Sequence, residues 1–272
     1  MTGKKEMKFE HATLEINGTV GVLTLNHPEV LNAVSPEMLQ GLMSAMNHVE
    51  SPKTGLRALV LTGQGRAFCA GANLSGGPSS DAFGPEERDA GAALETKYHP
   101  FLRRLRNLNM PLVTAVNGVA AGVGMSFAMM GDMILASKSA YFLQAFRRIG
   151  LVPDGGSTWL LPRLVGLARA KELSLMGEKL GAEKALEWGL INRIYDDAHL
   201  MTEAMALGQE LANGPTVALT QIRNLYWMSP DNTYEEQLNA ERQAQKTAGR
   251  AEDFVEGVSA FQAKRKANFK GR

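Results

Sequence analysis

Two short apolar runs, RALVLTG over Arg57–Gly63 and LVTAVNG over Leu112–Gly118, constrain this chain more than any other feature. Each is too short for a buried helix and stops at a glycine, so each reads as a buried strand. Helical patterns surround them. Ser35-Pro36-Glu37-Met38 opens one, with serine as cap and proline at the first position. Met38, Leu39, Leu42, Met43, Met46 and Val49 then recur on a single face, a Met-rich stripe that reads as core. A second helix ends near Asn107, and a third, over Gly122–Met130, leads to a strand at Met133–Ala136. Ahead of all these, Ala12–Ile16 and Gly21–Asn26 flank the turn Asn17-Gly18 and read as a hairpin. Alternation of this kind predicts α/β layering.

From about Asp196 the pattern becomes helical throughout, over His199–Asn213, Pro215–Met228, Thr233–Thr247 and Arg250–Phe269. The expected division is therefore a core over 1–195 and a helical appendage over 196–272. A length of 272 residues suits one large domain, or a domain with an appendage, and 44% hydrophobic residues are enough for a real core. A formal net charge of +1 speaks against nucleic acid as a partner, although the final KRKANFKGR could meet a phosphate. The single cysteine, Cys69, excludes an internal disulfide framework and a multi-cysteine metal site, and between Phe68 and Ala70 it reads as a small buried hydrophobe. The N-terminus does not read as a secretory signal, and Asn117, Ser126 and Asp132 break the longest apolar stretch, so the expectation is a cytoplasmic protein without a membrane span.

Two glycine-bearing segments offer chemistry: GRAFCAGANL over Gly65–Leu74 and VNGVAAGVGMSFAMMGD over Val116–Asp132. The second is no dinucleotide fingerprint, because the third glycine would fall at Phe127. Small residues at strand ends and helix starts let a ligand approach free backbone N–H groups, and two converging donors would form an oxyanion hole; simple tight packing is the other reading. Gly124-Met125-Ser126-Phe127-Ala128 comes close to a nucleophile elbow, but none of the five histidines lies in an evident triad motif. The polar stretch Ser75–Pro85 suits an active-site loop or a plain surface loop. Asp154, within RIGLVPDGGSTWLL, is either a turn residue capping a helix near Ser157 or a carboxylate made reactive by its apolar neighbours.

These segments, with HPEVLNAVS (His27–Ser35), GLVPDGGSTWLLPRLVG (Gly150–Gly166), LGAEKALEWGLINRIY (Leu180–Tyr195) and AFQAKRKANF (Ala260–Phe269), resemble the crotonase (enoyl-CoA hydratase/isomerase) superfamily in order and over nearly the whole chain. The resemblance implies a ββα spiral core, a C-terminal helical trimerisation region and an acyl-CoA thioester as ligand, with coenzyme A belonging to the substrate and no further cofactor or metal. It implies a homotrimer or a dimer of trimers. Carried over by position, the backbone N–H groups of Ala70 and Val123 would form the oxyanion hole. Glu29, Val30, Leu31, Ala72, Asn73 and Gly122 would lie along the CoA, and Lys264 would meet its phosphates, often those of a neighbouring subunit. Ser126, Phe146 and Trp159 would border the acyl group, whose pocket would take its shape from Ser75–Tyr98.

The chain departs from a hydratase of that family at both catalytic glutamates, whose positions hold Ser126 and Phe146. A phenylalanine transfers no proton, and a serine without a base activates no water. Asp154 instead resembles the acid/base of the branch that shifts double bonds, which includes the phenylacetate-pathway ring-epoxide isomerases. The implied activity is a 1,3-proton transfer through an oxyanion-stabilised dienolate. Hydration of a 2-enoyl-CoA is the alternative, and a non-catalytic member that binds acyl-CoA or RNA is the second.

Overall fold

The computed structural model describes residues 5–75 and 89–272, so most of the Ser75–Pro85 loop lies outside the described residues. The hairpin forms as expected. Strands β2 (Ala12–Asn17) and β3 (Val20–Leu25) pair antiparallel around Gly18, whose φ of 62° suits a residue without Cβ. A further strand, β1 (Lys5–Phe9), adds to the edge. Helix α1 (Pro36–Val49) starts where Ser35 Oγ accepts from Met38 N, and it buries its methionine stripe against the sheet.

A repeating unit then begins. In each turn one strand enters a large sheet, the next enters a small sheet, and a helix leads to the following pair. The pairs are β4 (Ala58–Gly63) with β5 (Ala67–Cys69), β6 (Leu112–Val116) with β7 (Val119–Ala121), and β8 (Met133–Ser137) with β9 (Tyr141–Leu143). The connecting helices are α2 (His99–Arg106), α3 (Val123–Ala128) and α4 (Ser157–Val165), with α5 (Leu167–Met176) following α4. Then come β10 (Lys179–Gly181), α6 (Ala182–Glu187) and β11 (Arg193–Tyr195). The large sheet runs β1-β2-β3-β4-β6-β8-β11 and is parallel from β3 onward; the small sheet runs β10-β9-β7-β5. This is the ββα spiral, and both RALVLTG and LVTAVNG sit at its centre, buried on both faces.

The boundary at 195/196 does not separate packed units. Helix α7 (Leu200–Ala212) covers the outer face of the large sheet, where Leu200, Ala204 and Leu207 pack on Val20, Val60, Val113 and Leu135. The appendage proper is α8 (Thr216–Met228), α9 (Tyr234–Ala248) and α10 (Glu252–Gln262). Arg57 ties it back by donating to Thr216 Oγ1 at 2.8 Å and to the Phe269 carbonyl at 3.2 Å. The helix expected over Arg250–Phe269 stops at Gln262 because the tail turns back: Asp253 accepts from the amides of Lys270 and Gly271, and Glu256 accepts from Arg265 and from the Asn268 amide. The tail backbone is thus drawn onto Asp253 and Glu256, while the side chains of Lys264, Lys266 and Lys270 stay exposed. Among the described residues, no helix is long and apolar enough to cross a membrane.

Candidate active site

Asp154 sits in the loop before α4, and its carbonyl is heavily bound. It accepts from Ser157 N at 3.1 Å, from Ser157 Oγ and from Ser126 Oγ at 3.0 Å. Gly155 and Gly156 follow with φ of 61° and 80°, and a Cβ at Gly155 would lie 2.8 Å from Ser126 Cβ. Glycine here lets the loop close onto α3. The carboxylate does not cap α4: that helix has Gly156 as its N-cap with no side-chain hydrogen bond, and Asp154 Oδ1 is buried without a partner among the described residues. A turn residue would direct its side chain to a backbone N–H, and this one does not. Burial pushes the carboxyl up to about 6, and among the described residues His99 opposes the rise.

Facing it are the two glycine-bearing segments. Strand β5 lies parallel to β7, and a Cβ at Gly124 would strike Cys69 O, so backbone packs on backbone. Val123 is the first residue of α3, after Gly122 at φ 52°, so its N–H has no acceptor within the helix. Ala70 corrects the expectation: its N–H donates to the Leu31 carbonyl at 3.0 Å and is not available to a ligand. The available donor two residues on is Ala72. Its parallel bridge to Val34 is made by Gly71 O and Asn73 N, which leaves the Ala72 N–H on the opposite side of the strand, exposed and without a partner among the described residues. Cys69 itself is fully buried and its thiol is pushed up to about 12 by desolvation, so it is a core residue.

The same segment holds the expected CoA loop. Glu29, Val30 and Leu31 lie in a tight turn that ends in two residues at positive φ, Leu31 and Asn32. Asn32, fully buried and not singled out from sequence, fastens this turn: Oδ1 accepts from His27 N, and Nδ2 donates to the Gln64 and Ala67 carbonyls. Glu29, Val30, Leu31, Ala72, Asn73, Gly122 and Val123 therefore come together around the Asp154 loop. Lys264 does not join them in this chain; it is exposed just beyond α10 with φ 52°.

A cavity of about 260 Å³ opens beside Asp154, lined by Gly155, Gly156, Trp159, His99, Met130 and Trp227 among others. Of the three expected acyl neighbours only Trp159 lines it. Ser126 is fully buried behind the loop with its hydroxyl on Asp154 O, and Phe146 is buried against Gly122. The rings of Trp159 and Trp227 stack at 5.6 Å, and Arg163 lies 4.0 Å over Trp159. Trp227 comes from α8, 68 residues beyond Trp159, and no local pattern in the sequence points to it. His99 likewise had only its identity to offer.

Residues 15–272 match the family model described as enoyl-CoA hydratase/isomerase. The chain is 46% identical over 253 residues to the 1,2-epoxyphenylacetyl-CoA isomerase of Escherichia coli K12, covering 93% of this chain and 95% of that one. It is 32% identical over 251 residues to the 2,3-dehydroadipyl-CoA hydratase of the same organism, covering 92% and 95%. The crystal structure of an enoyl-CoA hydratase from Polaromonas sp. JS666 superimposes with a TM-score of 0.85 at 30% identity, covering 98% of this chain and 99% of that one. The architecture is that of the crotonase fold, and this chain belongs to the enoyl-CoA hydratase/isomerase family.

Proposed function

We propose that this enzyme shifts a double bond in an acyl-CoA thioester by a 1,3-proton transfer through Asp154. The observation that carries the reading is the Asp154 carboxyl: half-buried, raised to about 6, with Oδ1 without a hydrogen-bond partner among the described residues and a cavity bordered by the adjacent Gly155 and Gly156. A group poised near neutrality serves as base and then as acid.

The thioester carbonyl oxygen accepts from the N–H groups of Ala72 and Val123. The Asp154 carboxylate takes a proton from the carbon activated by the thioester, either directly in a 3-enoyl group or through the conjugated double bond in a 2-enoyl group. The electron pair moves onto the thioester oxygen, and the two donors stabilise the dienolate because the charge develops there only as the proton leaves. Protonated Asp154 returns the proton two carbons away. The step is redox-neutral and adds no atoms. Hydration would need a group to direct water, and Ser126 and Phe146 stand where that family places its glutamates.

The acyl group we assign is a short or ring-derived one, which suits a cavity walled by the Trp159–Trp227 stack; the relative at 46% identity is named for an epoxyphenylacetyl thioester. A homotrimer or a pair of stacked trimers would cover the apolar side chains that α8 and α10 expose, among them Tyr226, Phe254 and Phe261. The test is Asp154→Asn. Its turnover of a 3-enoyl-CoA should fall by about 10³-fold with affinity for the thioester unchanged; a loss smaller than about tenfold would overturn the assignment.

A further inference from the structure

The cavity bordered by Gly155 and Gly156 takes one wall from outside the spiral. Its floor is apolar and buried, made by Leu102 of α2, Met130 after α3 and Leu160 of α4. Its half-buried wall is Trp227 of α8, set against Trp159 of α4 with ring centroids 5.6 Å apart and planes 11° from parallel. Both indoles are backed by cations. Arg163 lies 4.0 Å over Trp159 and donates from Nη1 to the Trp159 carbonyl at 2.8 Å, and Arg106 lies 5.5 Å from the Trp227 centroid. Stacking and cation–π contacts of this kind hold aromatic rings in one orientation. Arg223 adds a backbone tie, donating to the carbonyls of Leu105, Arg106 and Leu108, so α8 is fastened to the end of α2.

We infer that Trp227, carried by the C-terminal helices and braced on Trp159, is the residue that sets the acyl length this enzyme accepts: it admits compact groups, short or ring-derived, and turns away long straight chains. This rests on the reading of the cavity as the seat of the acyl group beside Asp154. An indole pinned between a second indole and a guanidinium cannot swing aside without breaking both contacts. The surface that remains beyond the floor and the stack is charged. Arg103, Arg106 and Asp231 line the cavity and are exposed, so they form its rim. Arg103 is paired with Glu95, which also lies 2.9 Å from His99. Asp231 sits in the turn after α8, and no ion pair joins it to Arg106 among the described residues, so each keeps its water. An alkyl tail that continued past the stack would strip that water and offer nothing in exchange. The described part of Ser75–Tyr98, expected to shape the pocket, does not line this cavity.

Two readouts separate this wall from the chemistry. Kd for the saturated thioesters hexanoyl-CoA and dodecanoyl-CoA, measured by calorimetry, reads the wall without turnover, and kcat/KM for 3-hexenoyl-CoA and 3-dodecenoyl-CoA reads both. The wild type should favour the shorter thioester by at least about tenfold in each. Trp227→Ala should shrink that preference to below about threefold, because it opens room on the apolar wall short of the charged rim. Trp227→Phe keeps a ring on Trp159, so it guards against a variant that fails to fold, and its preference should fall between the two. Equal handling of both lengths by the wild type, or a preference that neither variant moves, would overturn the inference; Asp154→Asn inactive toward 3-hexenoyl-CoA would then still uphold the base. Turnover retained by Asp154→Asn would overturn the base instead, and the Kd comparison would still decide the wall.

Discussion

At the scale of single residues, the site depends on three short-range facts about one loop. Ser126 occupies a position where a hydratase of this family would carry a glutamate, and its hydroxyl holds the Asp154 carbonyl instead. Gly155 lets that loop close to within contact of α3, where a Cβ could not fit. The carboxylate that results is raised from an ordinary 3.8 to about 6 by burial. Between those values the folded protein holds a proton that the unfolded chain has released, so stability falls as pH rises from about 4 to about 6 and stays lower above. Asp154→Asn removes that penalty. It should be more stable than the wild type at pH 8 by about 1 kcal/mol, a figure discounted for the solvent that reaches the group, or about 2 °C in Tm. Thermal melts at pH 4 and pH 8 check this: the gain should be larger at pH 8, and an equal gain at both would contradict the assigned cause. Asp154 was legible in the sequence because apolar neighbours and a glycine pair surround it locally. The donor pair was only half legible. The choice between Ala70 and Ala72 depends on the Leu31 carbonyl, 39 residues upstream, and on which side of the strand each N–H faces.

At the scale of elements, helices were read well where one face is apolar and the ends carry caps, as in α1 with Ser35 or α9, where Thr233 and Glu236 form a capping box. They were read poorly where tertiary contacts decide. Helix α10 ends early because Asp253 and Glu256 draw the tail back, and α7 looked like appendage because its covering role depends on the sheet order. Helix α8 matters most to the site. Arg223, buried on its inner face, bonds Asp132 through Nε at 2.7 Å and reaches the carbonyls of Leu105, Arg106 and Leu108 at the end of α2. Trp227 follows four residues later on the same face and so is placed over the cavity. Arg223→Met leaves these acceptors unpaired and should cost about 3 kcal/mol. It should also weaken the Trp227 wall, raising KM for the thioester more than it lowers kcat; unchanged melting and unchanged KM would show that the clamp holds nothing.

At the scale of the whole molecule, the spiral explains why distant motifs share one site. Each turn of the ββα unit returns the chain to the same end of the small sheet, so the Glu29–Leu31 turn, the Ala72 strand end, the Gly122–Val123 helix start and the Asp154 loop meet there although they span 126 residues. Alternation of strands and helices announced the layers; which strand joins which sheet was not visible, because strands of both sheets carry the same apolar residues. Both relatives named above are thioester enzymes of one fold, one an isomerase and one a hydratase, so the fold alone leaves the reaction open. The proton transfer proposed for Asp154 makes that choice testable, and one measurement reaches it directly. Purified enzyme is incubated separately with a 3-enoyl-CoA and a 2-enoyl-CoA, and the products are followed by mass spectrometry. A single carboxylate acting as a shuttle predicts conversion of the 3-enoyl to the conjugated 2-enoyl thioester with no change in mass. Gain of one water by the 2-enoyl substrate at a comparable rate would contradict it.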